Sequence, residues 1–139
     1  DHGGTILFDT RDRSYGSGTL AGSANANTLR TLTASLNIPP LEPMAKDHVL
    51  TRSFYLLDPA RSGYDPGTIW AETNVSGRDG VSSVLIGSHD WASAWSGESA
   101  GRMQDMEYRF GVNLVMYALT GNYKADQVHI PHILERLGE

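Results

Sequence analysis

Two apolar runs that break off abruptly into charged residues constrain this chain more than any other feature. Near the beginning, Gly3-Gly4-Thr5-Ile6-Leu7-Phe8 passes directly into Asp9-Thr10-Arg11-Asp12. Much later, Val81-Ser82-Ser83-Val84-Leu85-Ile86-Gly87 passes into Ser88-His89-Asp90-Trp91. Short apolar runs bounded by turn residues read as buried strands. In an open α/β sheet, ligands sit in the crevice beyond the carboxyl ends of the strands. The two strand ends are therefore the candidate site, with Asp9, Arg11 and His89 expected on one rim.

The remaining pattern fits a layered α/β domain. The stretch from Arg13 to Asn27 is rich in Gly, Ser and Asn and reads as a loop. Leu29, Leu32 and Leu36 then form one stripe of a short helix, stopped by Asn37 and Pro39-Pro40. Leu41 to Thr51 reads as turns, Ser53 to Leu57 as a short apolar segment, and Thr68-Ile69-Trp70-Ala71-Glu72 as a strand. Met106, Phe110, Leu114 and Tyr117, joined by Met103 and Val115, predict a long helix over Met103–Thr120 that Gly121 ends. Ile130, Ile133, Leu134 and Leu137 predict a final amphipathic helix. Only three strands stand out, so the expected sheet is thin, parallel in type, and lacking strands on its N-terminal side.

Length and charge exclude several classes. A chain of 139 residues fits one domain, 1–139. With eleven basic residues scattered and a net charge of −5, nucleic acid is not an expected partner. There is no cysteine, which removes disulfides, thiolate metal sites and cysteine nucleophiles together. No apolar run approaches the roughly 18 residues of a membrane span, so direct membrane insertion is not expected. The chain starts at the turn into a strand, and the expectation is a fragment of a longer polypeptide. The unpaired sheet edge this leaves is an expected surface for homo-oligomerisation or for upstream domains of the parent chain.

Each candidate residue has both a chemical and a structural reading. Asp9, Arg11 and Asp12 offer both signs of charge to a metal or a polar ligand, or else form an Asx turn and an Arg–Asp clamp. His89 and Asp90 offer either a general base with its orienting carboxylate or half of a metal site. Neighbours on an extended chain point to opposite sides, however, so Asp90 is expected to cap the helix that starts near Trp91. Asp47-His48 is either a third contributor to the same site or a solvated turn. Ser53 and Ser88 lack a nucleophile elbow. His129 and His132 share a helical face without a carboxylate partner, and Asn74-Val75-Ser76 is a chance-prone sequon. The pattern names no cofactor and no metal.

The stretch Arg109-Phe110-Gly111-Val112-Asn113-Leu114-Val115-Met116-Tyr117-Ala118-Leu119-Thr120-Gly121-Asn122-Tyr123-Lys124-Ala125-Asp126-Gln127-Val128-His129-Ile130-Pro131 resembles the ending of the DUF4159 family of proteobacteria. Gly3 to Asp12, Asp47 to Thr51 and Asp90-Trp91 fit the same family. The resemblance implies a C-terminal domain of a large membrane-anchored bacterial protein whose N-terminal part is similar to the aerotolerance (Bat-type) proteins. It also implies a flavodoxin-like, class I glutamine amidotransferase-like fold, distantly similar to the trehalose-utilisation (ThuA-like) branch. In that fold a Gly-Gly strand leads to a nucleophilic cysteine; here it leads to Asp9, so amidotransfer is excluded. The resemblance places His89 near a site histidine and likens Asp47-His48 to a loop motif.

Three functions follow as expectations. The first is a non-catalytic module binding a small polar ligand or a partner domain in a bacterial envelope protein. The second is a hydrolase using Asp9, His48 and His89, with or without a divalent metal, on a polar, carbohydrate-like substrate. The third is a scaffold with a vestigial crevice.

Overall fold

The computed structural model describes residues 4–12, 23–73, 80–98 and 101–121. Among these residues the sheet has four strands: β1 (Ile6–Asp9), β2 (Leu41–Pro43), β3 (Trp70–Glu72) and β4 (Val84–Gly87). The order is β1-β4-β3-β2. Only β1 and β4 run parallel; β3 is antiparallel to β4, and β2 to β3. The sheet is therefore mixed rather than parallel in type. β2 escapes the pattern reading because three residues, the last of them a proline, give no alternation to detect.

Helix α1 spans Ala24–Thr33, earlier than the Gly/Ser/Asn composition predicts, because the Ser23 hydroxyl caps it by accepting the Ala26 amide at 2.9 Å. Its leucine stripe is helical as expected yet not buried: Leu32 is 71% exposed, and Ala26 alone of the helix is buried. A short helix α2 (Pro59–Ser62), a helical turn α3 (Trp91–Ser93) and a wider turn at Ala94–Glu98 lead to α4 (Arg102–Thr120). At its end Gly121 takes φ 55, a left-handed value that favours glycine. The expected final helix, His129, His132 and the Asn74 sequon lie outside the described residues.

The core lies between one face of the sheet and α4. Leu85 and Ala71 from the sheet join Met106, Phe110 and Tyr117 from α4, with Leu7 and Leu114 packed against them. Burial contributes about 1.5–3 kcal/mol for each large apolar side chain. Met103 and Val115, expected on the same stripe, are instead exposed. Asn113, fully buried on the inner side of α4, donates to the Leu50 and Tyr55 carbonyls and accepts from the Phe54 and Tyr55 amides. It thereby ties the Leu50–Tyr55 segment to the helix. The opposite face of the sheet is less covered, with Ile6 exposed and Phe8, Trp70, Val84 and Ile86 half-buried.

Candidate functional site

Because β1 and β4 are parallel and in register with Asp9 beside Gly87, both carboxyl ends open on one rim. The Thr10 amide extends the ladder by donating to the Gly87 carbonyl at 2.9 Å. The rim is tightly tied. Asp9 Oδ1 accepts the Arg11 and Asp90 amides, each at 3.1 Å, and Oδ2 accepts the Trp91 amide at 2.6 Å. Thus Asp9, from the neighbouring strand, caps α3. Asp90 does not cap, contrary to expectation: it adopts φ 70 and makes no side-chain cap bond. Its carboxylate meets the Arg11 guanidinium instead, at 2.8 Å from Nε and 3.2 Å from Nη2.

Arg11 also takes a left-handed conformation, φ 61. Arg11 and Asp90 are the only non-glycine residues among those described with positive φ. Such conformations cost of order 1–3 kcal/mol each and persist only when the surroundings enforce them. Gly87 contributes to that enforcement, since a methyl group there would overlap the Trp91 ring. Trp91 is buried and stacks on Phe110 at 4.9 Å.

Beside the rim, a cleft of about 760 Å³ runs between β1 and α1. Phe8, Leu29 and Leu32 line its apolar part, and Thr10, Asp12, Ser23 and Asn25 its polar part. Asp12 is buried and accepts the Ser23 hydroxyl at 2.6 Å, while Asn25 Nδ2 donates to the Thr10 carbonyl at 2.7 Å. The Thr10 hydroxyl is buried with no hydrogen-bond partner among the described residues, as is the Trp91 indole N–H.

His89 turns toward α4, while Asp90 turns to Arg11. Its Nε2 lies 2.6 Å from Oε1 of Glu107, whose Oε2 accepts the Tyr64 hydroxyl at 2.8 Å. Glu107 is 3% exposed. The rings of Tyr64 and Trp91 flank the imidazole. The carboxylate that orients His89 is thus Glu107, which sequence reasoning missed. Its one signal was a glutamate next to Met106, on the inner stripe of α4.

His48 is not brought to the rim. Its Nδ1 accepts the Leu50 amide at 3.1 Å, capping a turn at Val49–Thr51, and its ring meets Tyr117 edge-on. The Tyr117 hydroxyl in turn accepts the Ser82 amide at 2.7 Å, at the amino end of β4. His48 therefore sits at the opposite end of the sheet from Asp9, neither in the site nor in a solvated turn. Burial holds its pKa below the ordinary histidine value; Arg52 pushes the same way and Asp47 opposes. Among the described residues no three His, Asp or Glu side chains gather to hold a metal ion. No helix among them is long and apolar enough to cross a membrane.

Fold and site together define an α/β domain whose strained polar residues gather at the carboxyl edge of two parallel strands. The chain belongs to the DUF4159 family, a domain of unknown function, whose sequence profile matches residues 1–119. A search of curated proteins finds no match to the chain.

Proposed function

We propose that this domain is a non-catalytic binding module that holds a small polar ligand at the carboxyl edge of β1 and β4. One observation carries the reading: Arg11 and Asp90, both left-handed and neither a glycine, face each other across adjacent parallel strand ends beside the cleft. Strain held in place by a network of amide bonds is a mark of functional sites rather than of loops that merely connect. Asp9 serves as the brace of this arrangement, since both its oxygens are engaged by backbone amides. Arg11 and Thr10 are the groups turned to ligand chemistry, the first as a planar donor and the second as an unmet hydroxyl. The family resemblance supports a glutamine amidotransferase-like layering and a membrane-anchored bacterial parent. The lack of cysteine supports binding over amidotransferase chemistry.

Thermal unfolding in the presence of carboxylates, phosphates, polyols and amines tests the reading. A ligand at a hundred times its Kd stabilises by about 2.7 kcal/mol. At least one compound class should raise the melting temperature of the wild type, with the rise lost in Arg11→Gly. A panel without effect would overturn the binding reading and favour a scaffold.

A second reading has one observation in its favour: His89 is held by a buried carboxylate, the arrangement that orients a general base. Turnover of chromogenic esters by the wild type and not by His89→Gln would select catalysis instead.

A further inference from the structure

The two edges of the sheet differ in how they are finished. β2, at one edge, is three residues long and contains Pro43, which has no amide hydrogen to offer a neighbour. Short edge strands carrying proline resist pairing with other chains. β1, at the other edge, has no proline and, among the described residues, pairs with β4 alone. The Ile6 and Thr10 amides donate to the Ser83 and Gly87 carbonyls, each at 2.9 Å. Bonding direction alternates along a strand, so the amides and carbonyls of Thr5, Leu7 and Asp9 face the outer edge. Ile6 is 49% exposed on this strand, and Leu32 of α1, 71% exposed, lines the groove that Phe8 of the same strand also lines.

We propose that the β1 edge is an interface for a second copy of this chain, the two β1 strands pairing antiparallel about a two-fold axis at Leu7. In this register Leu7 faces Leu7 of the second copy, and each Thr5 faces the other copy's Asp9. All three outward-bonding residues of each strand are then used. A register centred on Asp9 would set like charges opposite each other, which is destabilising; the Leu7 register keeps the two carboxylates apart. It also places Ile6 of the second copy beside Phe8, on the face where Leu29 and Leu32 line the groove. The edge is thus complementary to itself in hydrogen bonding and in the apolar residues that fill the groove, as a two-fold contact must be. The copies each carry a net charge of −5, so the association strengthens as salt screens their repulsion.

Sedimentation over a concentration series, with amide hydrogen exchange at Leu7 and Asp9, tests the proposal on the whole 139-residue chain. The expected result is a reversible dimer in which the two amides become protected, and they should exchange freely on dilution to monomer. Ile6→Lys changes an exposed side chain and leaves the fold intact by circular dichroism; it should weaken dimerisation at least tenfold. Val115→Lys, on the exposed side of α4, should leave it unchanged. The proposal is overturned by a monomer at every concentration, or by a dimer insensitive to Ile6→Lys. Loss of the dimer with Val115→Lys in its place would move the interface to α4 and also overturn it. Protection of Leu7 and Asp9 that does not depend on concentration would assign the edge to another part of the same polypeptide and would likewise overturn the proposal.

Discussion

The two ends of β4 are built from similar residues and come to opposite conditions. At the amino end the polar groups of β4 itself are paired, whereas Arg52 Nε, in the neighbouring His48 turn, is buried without a hydrogen-bond partner among the described residues. Glu72 Oε1 accepts the Ser83 amide at 2.7 Å and the Ser83 hydroxyl as well, and the Ser82 hydroxyl donates to the Val84 carbonyl. Tyr117, whose phenol burial pushes above its ordinary pKa while the Ser82 amide draws it down, accepts that amide. No non-glycine residue described there takes a left-handed backbone angle. At the carboxyl end, three amides converge on Asp9, two non-glycine residues are left-handed, and the Thr10 hydroxyl is buried without a partner among the described residues. A satisfied network stabilises a fold and needs nothing more. An enforced and incompletely satisfied one is destabilising in isolation, and on that ground a ligand is proposed there.

Substitutions at the two ends test this difference. The largest effect is expected from Gly87→Ala, which drives a methyl group into the Trp91 ring and separates it from Phe110. Overpacking of this kind should cost about 3 kcal/mol in urea unfolding and also disturb the Asp90 turn. At the amino end, Tyr117→Phe leaves the buried Ser82 amide without its acceptor, a loss of about 1–3 kcal/mol. Arg11→Gly removes a partly exposed ion pair, worth little, and relieves a left-handed side chain. It should raise stability by about 1 kcal/mol; a comparable loss would mean that the clamp is structural.

The smallest effect is pH dependence from His48. Its folded-state pKa lies below its unfolded value of about 6.5, so the folded state binds fewer protons than the unfolded one in between. The contribution of neutral His48 is fully present above pH 6.5 and is lost as the pH falls toward the folded value. His48→Asn, which keeps an acceptor for the Leu50 amide, should flatten this part of the stability–pH curve.

How much of this was legible follows from the physics of each signal. β1, β4 and α4 announce themselves because a continuous apolar run and a 3.6-residue period are local properties of the chain. That the ends of β1 and β4 open on one rim was legible as well, but the residue expected there with Asp9 and Arg11 was His89, which turns to Glu107 of α4, while Asp90 meets Arg11. The exchange of roles between Asp9 and Asp90 was not: which carboxylate caps α3 depends on the φ of Asp90, and no neighbour in sequence fixes that angle. The pairing of His89 with Glu107 links a strand end to the inner face of a helix, a tertiary event with one faint sign. The leucines of α1 predicted the helix correctly but not their exposure, because a stripe states that a partner is needed without supplying one.

Whether the network at the carboxyl end of β4 is less satisfied than the one built on Ser82, Ser83 and Tyr117 at its amino end can be decided on a single hydroxyl. Thr10→Val replaces a buried hydroxyl that has no partner among the described residues with a methyl group of nearly the same shape. Measured by urea unfolding without added ligand, the expected result is a gain of about 1 kcal/mol, opposite in sign to Tyr117→Phe. A loss of similar size in both variants would show the two ends to be alike and contradict the contrast between them.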